Sequence, residues 1–204
     1  MAPSRIADRE QDPRVRRHAQ TKAKILREAW KLAGRDGVAG VSLAELAKRV
    51  GLRQPSLYTY FESKNDLYDE LFADGNRRLW AEVVERDYPS DPGAAVRDFA
   101  RALVAFCAAD VARYHMLFQR HVPSFEPSPA SYALAQRFLN WARELLARAG
   151  IDREEDIDVF SALIAGLADQ QVANDPGGER WLSLTDQVIE MLLARLDDKG
   201  GFCR

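Results

Sequence analysis

Few residues in this chain of 204 have the types and spacing that covalent chemistry needs. No GxSxG, GxGxxG or P-loop pattern is present, so neither an exposed serine nucleophile nor a glycine cradle for phosphate is on offer. The acidic run Asp152, Glu154, Glu155 and Asp156 fits a helix N-terminus, where negative charge is favoured, better than a general acid and base. His115 and His121 would face different sides of a helix, whereas zinc ligands recur three or four residues apart on one face. Cys107 and Cys203 are the two cysteines, and two thiols suit a reducing compartment better than a structural disulfide. No catalytic residue, metal ligand or cofactor is expected, and the chain reads as a non-enzyme. The spacing that does point to chemistry is that of two short helices joined at Gly51, the second opening on the polar Arg53 and Gln54. A rigid first helix bracing a second one is how a chain presents side chains to base edges in the DNA major groove.

Everything around that pair reads as helix, because β-branched alternation is absent and Gly and Pro fall between periodic segments. The first helix is expected over Thr21 to Asp36, with Ile25, Leu26, Ala29, Leu32 and Ala33 as its apolar stripe and Gly37 as its stop. Ser42 and Glu45 form a capping box, and Val41 and Leu46 a hydrophobic staple, for a helix from Leu43 to Val50. The next helix runs from Gln54 to Tyr60, with Pro55 in its first turn. Helices this short are unstable alone. Leu43, Leu46, Ala47, Val50, Leu57 and Phe61 have the spacing to share a core with the first helix. Ser63 and Asp66 then open a long fourth helix, through Leu67, Leu71, Leu79 and Val83 to about Tyr88. Asp91-Pro92, Asp110 and Ser128-Pro129 start the fifth, sixth and seventh, the sixth ending near His121 and the seventh at Gly150. The eighth covers about Asp152 to Asn174 and the ninth Trp181 to Leu196. The fold class is all-α: about nine helices, a three-helix head and a helical bundle.

Charge divides the same way. The formal net charge is −2, yet residues 1–66 hold 14 Lys and Arg against 8 Asp and Glu, and the remainder 15 against 23. A basic head on an acidic body suggests a polyanion partner for the head alone. A flexible basic arm over 1–20, a head over 21–67, a body over 68–198 and a flexible tail over 199–204 are the expected divisions. Arg14, Arg16 and Arg17 are able to reach a minor groove, but a solvated run making loose phosphate contacts is the preferred reading. No apolar run is long enough to cross a bilayer, and the charged N-terminus is unlike a secretory signal. The expected location is cytoplasmic, without membrane contact.

Ser42 through Leu52, then Leu57-Tyr58-Thr59-Tyr60-Phe61, then Ser63-Lys64-Asn65-Asp66-Leu67 resemble the tetracycline-repressor family of bacterial regulators over about residues 21–67. The resemblance implies that Arg53, Gln54, Pro55, Ser56, Tyr58 and Thr59 face the major groove. Arginine suits guanine, glutamine suits adenine and proline can touch a thymine methyl. It also implies phosphate contacts from Ser42, Tyr60 and Lys64. Two positions depart from the family pattern. Arg53 stands where Ser or Thr usually caps the third helix, trading a cap for a base reader or for a phosphate contact alone. Tyr60 stands where His is frequent. Tyr58 has two readings, a base or backbone contact or a core ring with its hydroxyl outside.

For the body, the resemblance implies a homodimer through the eighth and ninth helices, with Phe160, Leu163, Leu167, Gln170, Trp181, Thr185, Val188 and Leu192 at the interface. Both helices are apolar on more than one side and must bury each. A pocket for a small, mostly apolar effector is expected among Trp80, Phe99, Leu103, Phe106, Tyr114, Phe118, Phe138 and Trp141, with His121 and Gln171 as polar handles. The resulting expectation is a ligand-responsive regulator, a repressor that binds a palindromic operator in double-stranded DNA as a dimer and is released by its effector. The alternatives are a helical protein-interaction adaptor or an activator.

Overall fold

Serine and aspartate side chains set where most of the helices begin. In the computed structural model, which describes residues 13–201, these are nine α-helices. They are α1 (Pro13–Asp36), α2 (Leu43–Val50), α3 (Gln54–Leu57), α4 (Lys64–Leu79), α5 (Pro92–Ala109), α6 (Val111–Phe118), α7 (Pro129–Ala147), α8 (Glu154–Asn174) and α9 (Thr185–Gly201). The side chains of Ser42, Ser63, Asp91, Asp110 and Ser128 each accept a backbone N–H in the first turn of the helix that follows, satisfying an otherwise orphan donor. Gly51 ends α2 at φ 78°, a left-handed conformation open to glycine, with Leu52 N–H donating to the Ala47 carbonyl at 2.9 Å.

Two cores result. Ile25, Ala29 and Leu32 of α1 meet Leu46, Ala47 and Val50 of α2, then Leu57, Phe61, Leu67 and Leu71, all buried. The second core centres on Phe99 of α5. Its ring stacks on Phe160 at 5.7 Å, meets Trp141 edge-on at 5.3 Å and leans on Phe138 at 6.3 Å. Ile164, Leu167, Ile189 and Leu192 extend this core along α8 and α9. The helix α4 passes from one core to the other, since Phe72 belongs to the first and Leu79 to the second. The short α6 serves both, through Ala112 and Met116 on the head side and Tyr114 on the body side.

Several boundaries differ from the sequence reading. The first helix begins at Pro13 rather than Thr21, so much of the expected arm is helical. Residues 13–20 lack the apolar periodicity by which a helix is recognised, yet Pro13 suits a first turn. Residues 1–12 of that arm, and Cys203, lie outside the described residues. The helix α3 is a single turn, and Tyr58 to Tyr60 continue it as hydrogen-bonded turns, with Tyr60 N–H on the Leu57 carbonyl at 2.9 Å. The fourth helix leaves α geometry at Leu79. Trp80–Val84 form a π-helical turn closed by Glu85 N–H on the Trp80 carbonyl at 3.1 Å, and Tyr88 lies beyond it. The sixth ends at Phe118, short of His121. The backbone of the expected tail continues α9 as far as Gly201.

Candidate nucleic-acid interface

The head is braced before it presents anything. Arg35 near the end of α1 donates to Glu45 of α2 at 2.9 and 2.8 Å and also to Asp36. That hydrogen bonding holds the Glu45 carboxyl below its usual range. Glu45 is thereby turned away from Ser42, so the expected capping box is only half made: Ser42 Oγ accepts from Glu45 N–H, with no return bond. Lys24 Nζ caps the last carbonyl of α2, Val50, at 3.0 Å, a cation at a helix C-terminus where the dipole favours it. Lys22 pairs with Glu70 at 2.5 Å and ties α1 to α4.

Leu57 and Phe61, 2% and 4% exposed, anchor α3 from below. The residues between them and just before them face outward. Arg53, Gln54, Pro55, Tyr58 and Thr59 are exposed and Ser56 is half-buried. Tyr58 at 50% exposure is a surface ring, which removes the core alternative. Arg53 occupies the N-cap position of α3 without making a side-chain cap bond, as the departure from the family pattern implied. Its guanidinium is one of the exposed groups beside Gln54, and together they offer several donors and one amide acceptor.

The phosphate candidates are more committed. Ser42 Oγ is held at the N-terminus of α2, and Thr59 of the groove-facing set likewise donates its hydroxyl to the Ser56 carbonyl at 2.7 Å. Tyr60 is half-buried under the ring of His18, 4.6 Å away and stacked. Lys64 Nζ donates to the Ala39 carbonyl at 3.2 Å and lies over the Tyr68 ring at 5.4 Å. Its charge sits beside the N-terminal turn of α4, where Ser63 Oγ accepts from Asp66 N–H and the Asp66 carboxylate accepts from Glu62 N–H. The partnership of His18 with Thr59 and Tyr60 was invisible in the sequence, where residue 18 fell in an expected arm.

The body holds two neighbouring cavities. One, of about 640 Å³, lies among α4, α6, the loop 119–128 and α7, and is lined by residues that include Phe72, Asn76, Leu79, Met116, Leu117, Phe125 and Tyr132. The other, of about 270 Å³, lies among α5 to α8 and includes Phe99, Leu103, Cys107, Tyr114, Phe160 and Ile164. Phe118, Phe138 and Leu139 line both. Of the expected pocket residues, Phe99, Leu103, Tyr114, Phe118 and Phe138 are brought together around the smaller cavity. Trp80 and Trp141 instead line an outer groove with Arg137, whose guanidinium lies 3.6 Å over the Trp80 ring. Phe106 is core, 5% exposed. His121 is exposed, stacked on His115 at 4.1 Å. Gln171 is not a pocket handle. Its amide is spent on the α8–α9 connection, donating to the Asp175 and Gly178 carbonyls and accepting from Trp181 and Leu182 N–H. The lining residues missed, Phe72, Asn76, Leu79 and Phe125, come from α4 and from the loop between α6 and α7. The apolar Val122 and Phe125 in that loop were the available signal.

Polar bonds close the walls of these cavities. Tyr114 Oη donates to Asp169 at 2.6 Å, and burial together with that carboxylate pushes the phenol well above its ordinary range. Burial pushes the Cys107 thiol up to about 12 and lowers His115, with the adjacent His121 acting in the same direction. No group of three or more His, Cys, Asp or Glu among the described residues could hold a metal ion. None of the described helices is long and apolar enough to cross a membrane.

Of the expected interface residues, Phe160, Leu167, Thr185 and Leu192 are buried within the chain itself, so their contacts are already taken. Leu163, Trp181 and Val188 are half-buried, and Gln170 is exposed. The outward face of α8 carries Ala162, Gly166 and Ala173, that of α9 carries Met191, 67% exposed, and Leu184 is exposed just before α9.

Residues 25–71 match the family described as bacterial regulatory proteins, tetR family. The chain is 26% identical over 187 residues to the tetracycline repressor protein class A from transposon 1721 of Escherichia coli, covering 87% of this chain and 81% of that protein. Over 81 residues it is 30% identical to the HTH-type transcriptional regulator AcrR of Shigella flexneri, 39% of this chain and 38% of that protein. The fold is similar to that of the TetR-family transcriptional regulator PfmR from Thermus thermophilus, with a TM-score of 0.61 and 24% identity, covering 84% of this chain and 97% of that one.

Proposed function

The chain belongs to the tetR family of bacterial regulatory proteins, DNA-binding regulators of transcription, and within that family we propose that it is a homodimeric repressor released from a palindromic operator by a small, mostly apolar effector. The observation that carries the DNA half is the exposed face of Arg53, Gln54, Pro55 and Tyr58, held rigid by Leu57 and Phe61 beneath it. Reading by that face alone spans too few base pairs for selectivity, and two heads related by a two-fold axis double it. The outward faces of α8 and α9 suit the pairing: small residues on one let helices approach closely, and Val188 and Met191 on the other, with Leu184 just before it, are apolar surface in want of cover.

The release half rests on α6. Its His115, Met116, Leu117 and Phe118 line the larger cavity. Its Arg113 reaches the other way, 4.3 Å over the Trp30 ring of α1 and paired with Asp110 and, at 3.5 Å, with Asp74 of α4. Trp30 Nε1 donates to the same Asp74 at 2.7 Å. A ligand that shifts α6 therefore also shifts the grip on both helices that carry the head. Its effect is a population shift, toward states whose recognition faces miss the spacing of about 34–36 Å between successive major grooves. Candidate apolar compounds, titrated against protein on its selected operator fragment and followed by fluorescence anisotropy, test this. Binding to protein without loss of DNA affinity contradicts release.

A further inference from the structure

We propose that the first two turns of α1, which precede the matched segment 25–71, form part of the DNA interface: Arg14 and Arg17 contact the phosphate backbone, and His18 is the positioning residue that seats them beside α3. The inference rests on the DNA-binding reading of the head. All eight residues from Pro13 to Gln20 are exposed, so this stretch of helix has little packing of its own. The link across to α3 is His18, whose Nε2 lies 3.4 Å from the Thr59 carbonyl and whose ring stacks on Tyr60. Thr59 and Tyr60 close the recognition turn, so this contact holds the start of α1 beside that face.

Their charge is one-sided. Residues 13–24 hold five Lys and Arg and no Asp or Glu. Lys22 and Lys24 donate to Glu70 and to the Val50 carbonyl, and Arg14, Arg16 and Arg17 lie exposed. At about 100° per residue, Arg14 lies about 40° and Arg17 about 100° from His18 on the same side, whereas Arg16 lies about 160° away. Arg16 is therefore the internal control: equal in charge and exposed, but on the opposite face. Phosphate contacts, unlike base contacts, add affinity without sequence preference.

The test measures binding of the full chain to a mixed-sequence DNA duplex by fluorescence anisotropy at several salt concentrations. Each lost phosphate contact lowers the slope of log affinity against log salt by about 0.9. The Arg14→Ala/Arg17→Ala variant is expected to lose about 1.8 of slope per head, Arg16→Ala to keep the wild-type slope, and His18→Ala to fall between. Circular dichroism and thermal midpoints close to wild type exclude misfolding, since all three arginines are exposed. A double variant with the wild-type slope overturns the proposal, and so does an Arg16→Ala variant that loses as much as the double. Wild-type protein that shows no salt-dependent binding overturns the DNA-binding reading, and this inference with it.

Discussion

Replacing Arg53 with serine should raise folding stability and lower DNA affinity, two opposite effects from one side chain. Arg53 sits at the N-cap of α3 with φ −81° and ψ 147° and makes no side-chain cap bond. Ser42, at φ −92° and ψ 121°, caps α2 from nearly the same backbone conformation. A serine at position 53 can therefore accept an N–H from the first turn of α3 with little rearrangement, a gain of about 1 kcal/mol. For a chain of this size that is roughly 2–4 °C in thermal midpoint. Against this, losing a bidentate arginine contact to a guanine costs about 1–3 kcal/mol per head, roughly 5- to 150-fold in affinity. Calorimetry at fixed protein concentration reads the first effect. Anisotropy against operator fragments carrying each base substitution in turn reads the second. A lowered or unchanged midpoint refutes the capping argument. An affinity that falls equally for every base substitution refutes base reading and leaves Arg53 as a phosphate contact.

Three further outcomes follow from the geometry. Asp69→Ala removes the acceptor for Ser128 N–H, Ser128 Oγ and Ser131 Oγ at 2.7, 2.8 and 2.8 Å. It should cost about 2 kcal/mol in urea unfolding by loosening α7 from α4, and a neutral result would mean that water replaces those bonds without loss. Burial raises the Cys107 thiol from 9.0 and the Tyr88 phenol from 10.0, each to about 12. The folded chain then keeps protons that the unfolded chain releases, so stability is full below pH 9 and falls between about pH 9 and 12. Urea midpoints across that range should decline, and Cys107→Ala should remove the earliest part of the decline. Met191→Asp places a charge on the outward face of α9 and should shift sedimentation from dimer toward monomer while leaving helicity unchanged; a dimer that persists would move the interface elsewhere.

Much of the fold is legible in the sequence because its signals are local. Ser42, Ser63, Asp91, Asp110 and Ser128 cap helices that start where these residues stand, and Gly51 and Gly150 end them. The recognition face is legible for the same reason: Leu57 and Phe61 alternate with polar residues over a few positions. Features made by distant residues were hidden. Glu45 looked free to complete a capping box, but Arg35, ten residues earlier, claims it. Gln171 looked like a pocket handle, but the turn after α8 folds back onto its amide. The larger cavity draws on α4 and on the loop at Val122 and Phe125, and no periodicity links those segments. The helical start at Pro13 was hidden because its support comes from His18 meeting Tyr60 rather than from an apolar stripe.

The central claim is that the exposed face around Arg53 and Tyr58 selects DNA sequence. The most direct measurement is selection of bound fragments from a genomic DNA library by the purified protein, at two salt concentrations, repeated with Tyr58→Ala. The expected result is an enriched two-fold symmetric site, held more weakly at the higher salt and lost in the variant. No enrichment at either salt, or an enrichment that Tyr58→Ala leaves intact, would contradict it.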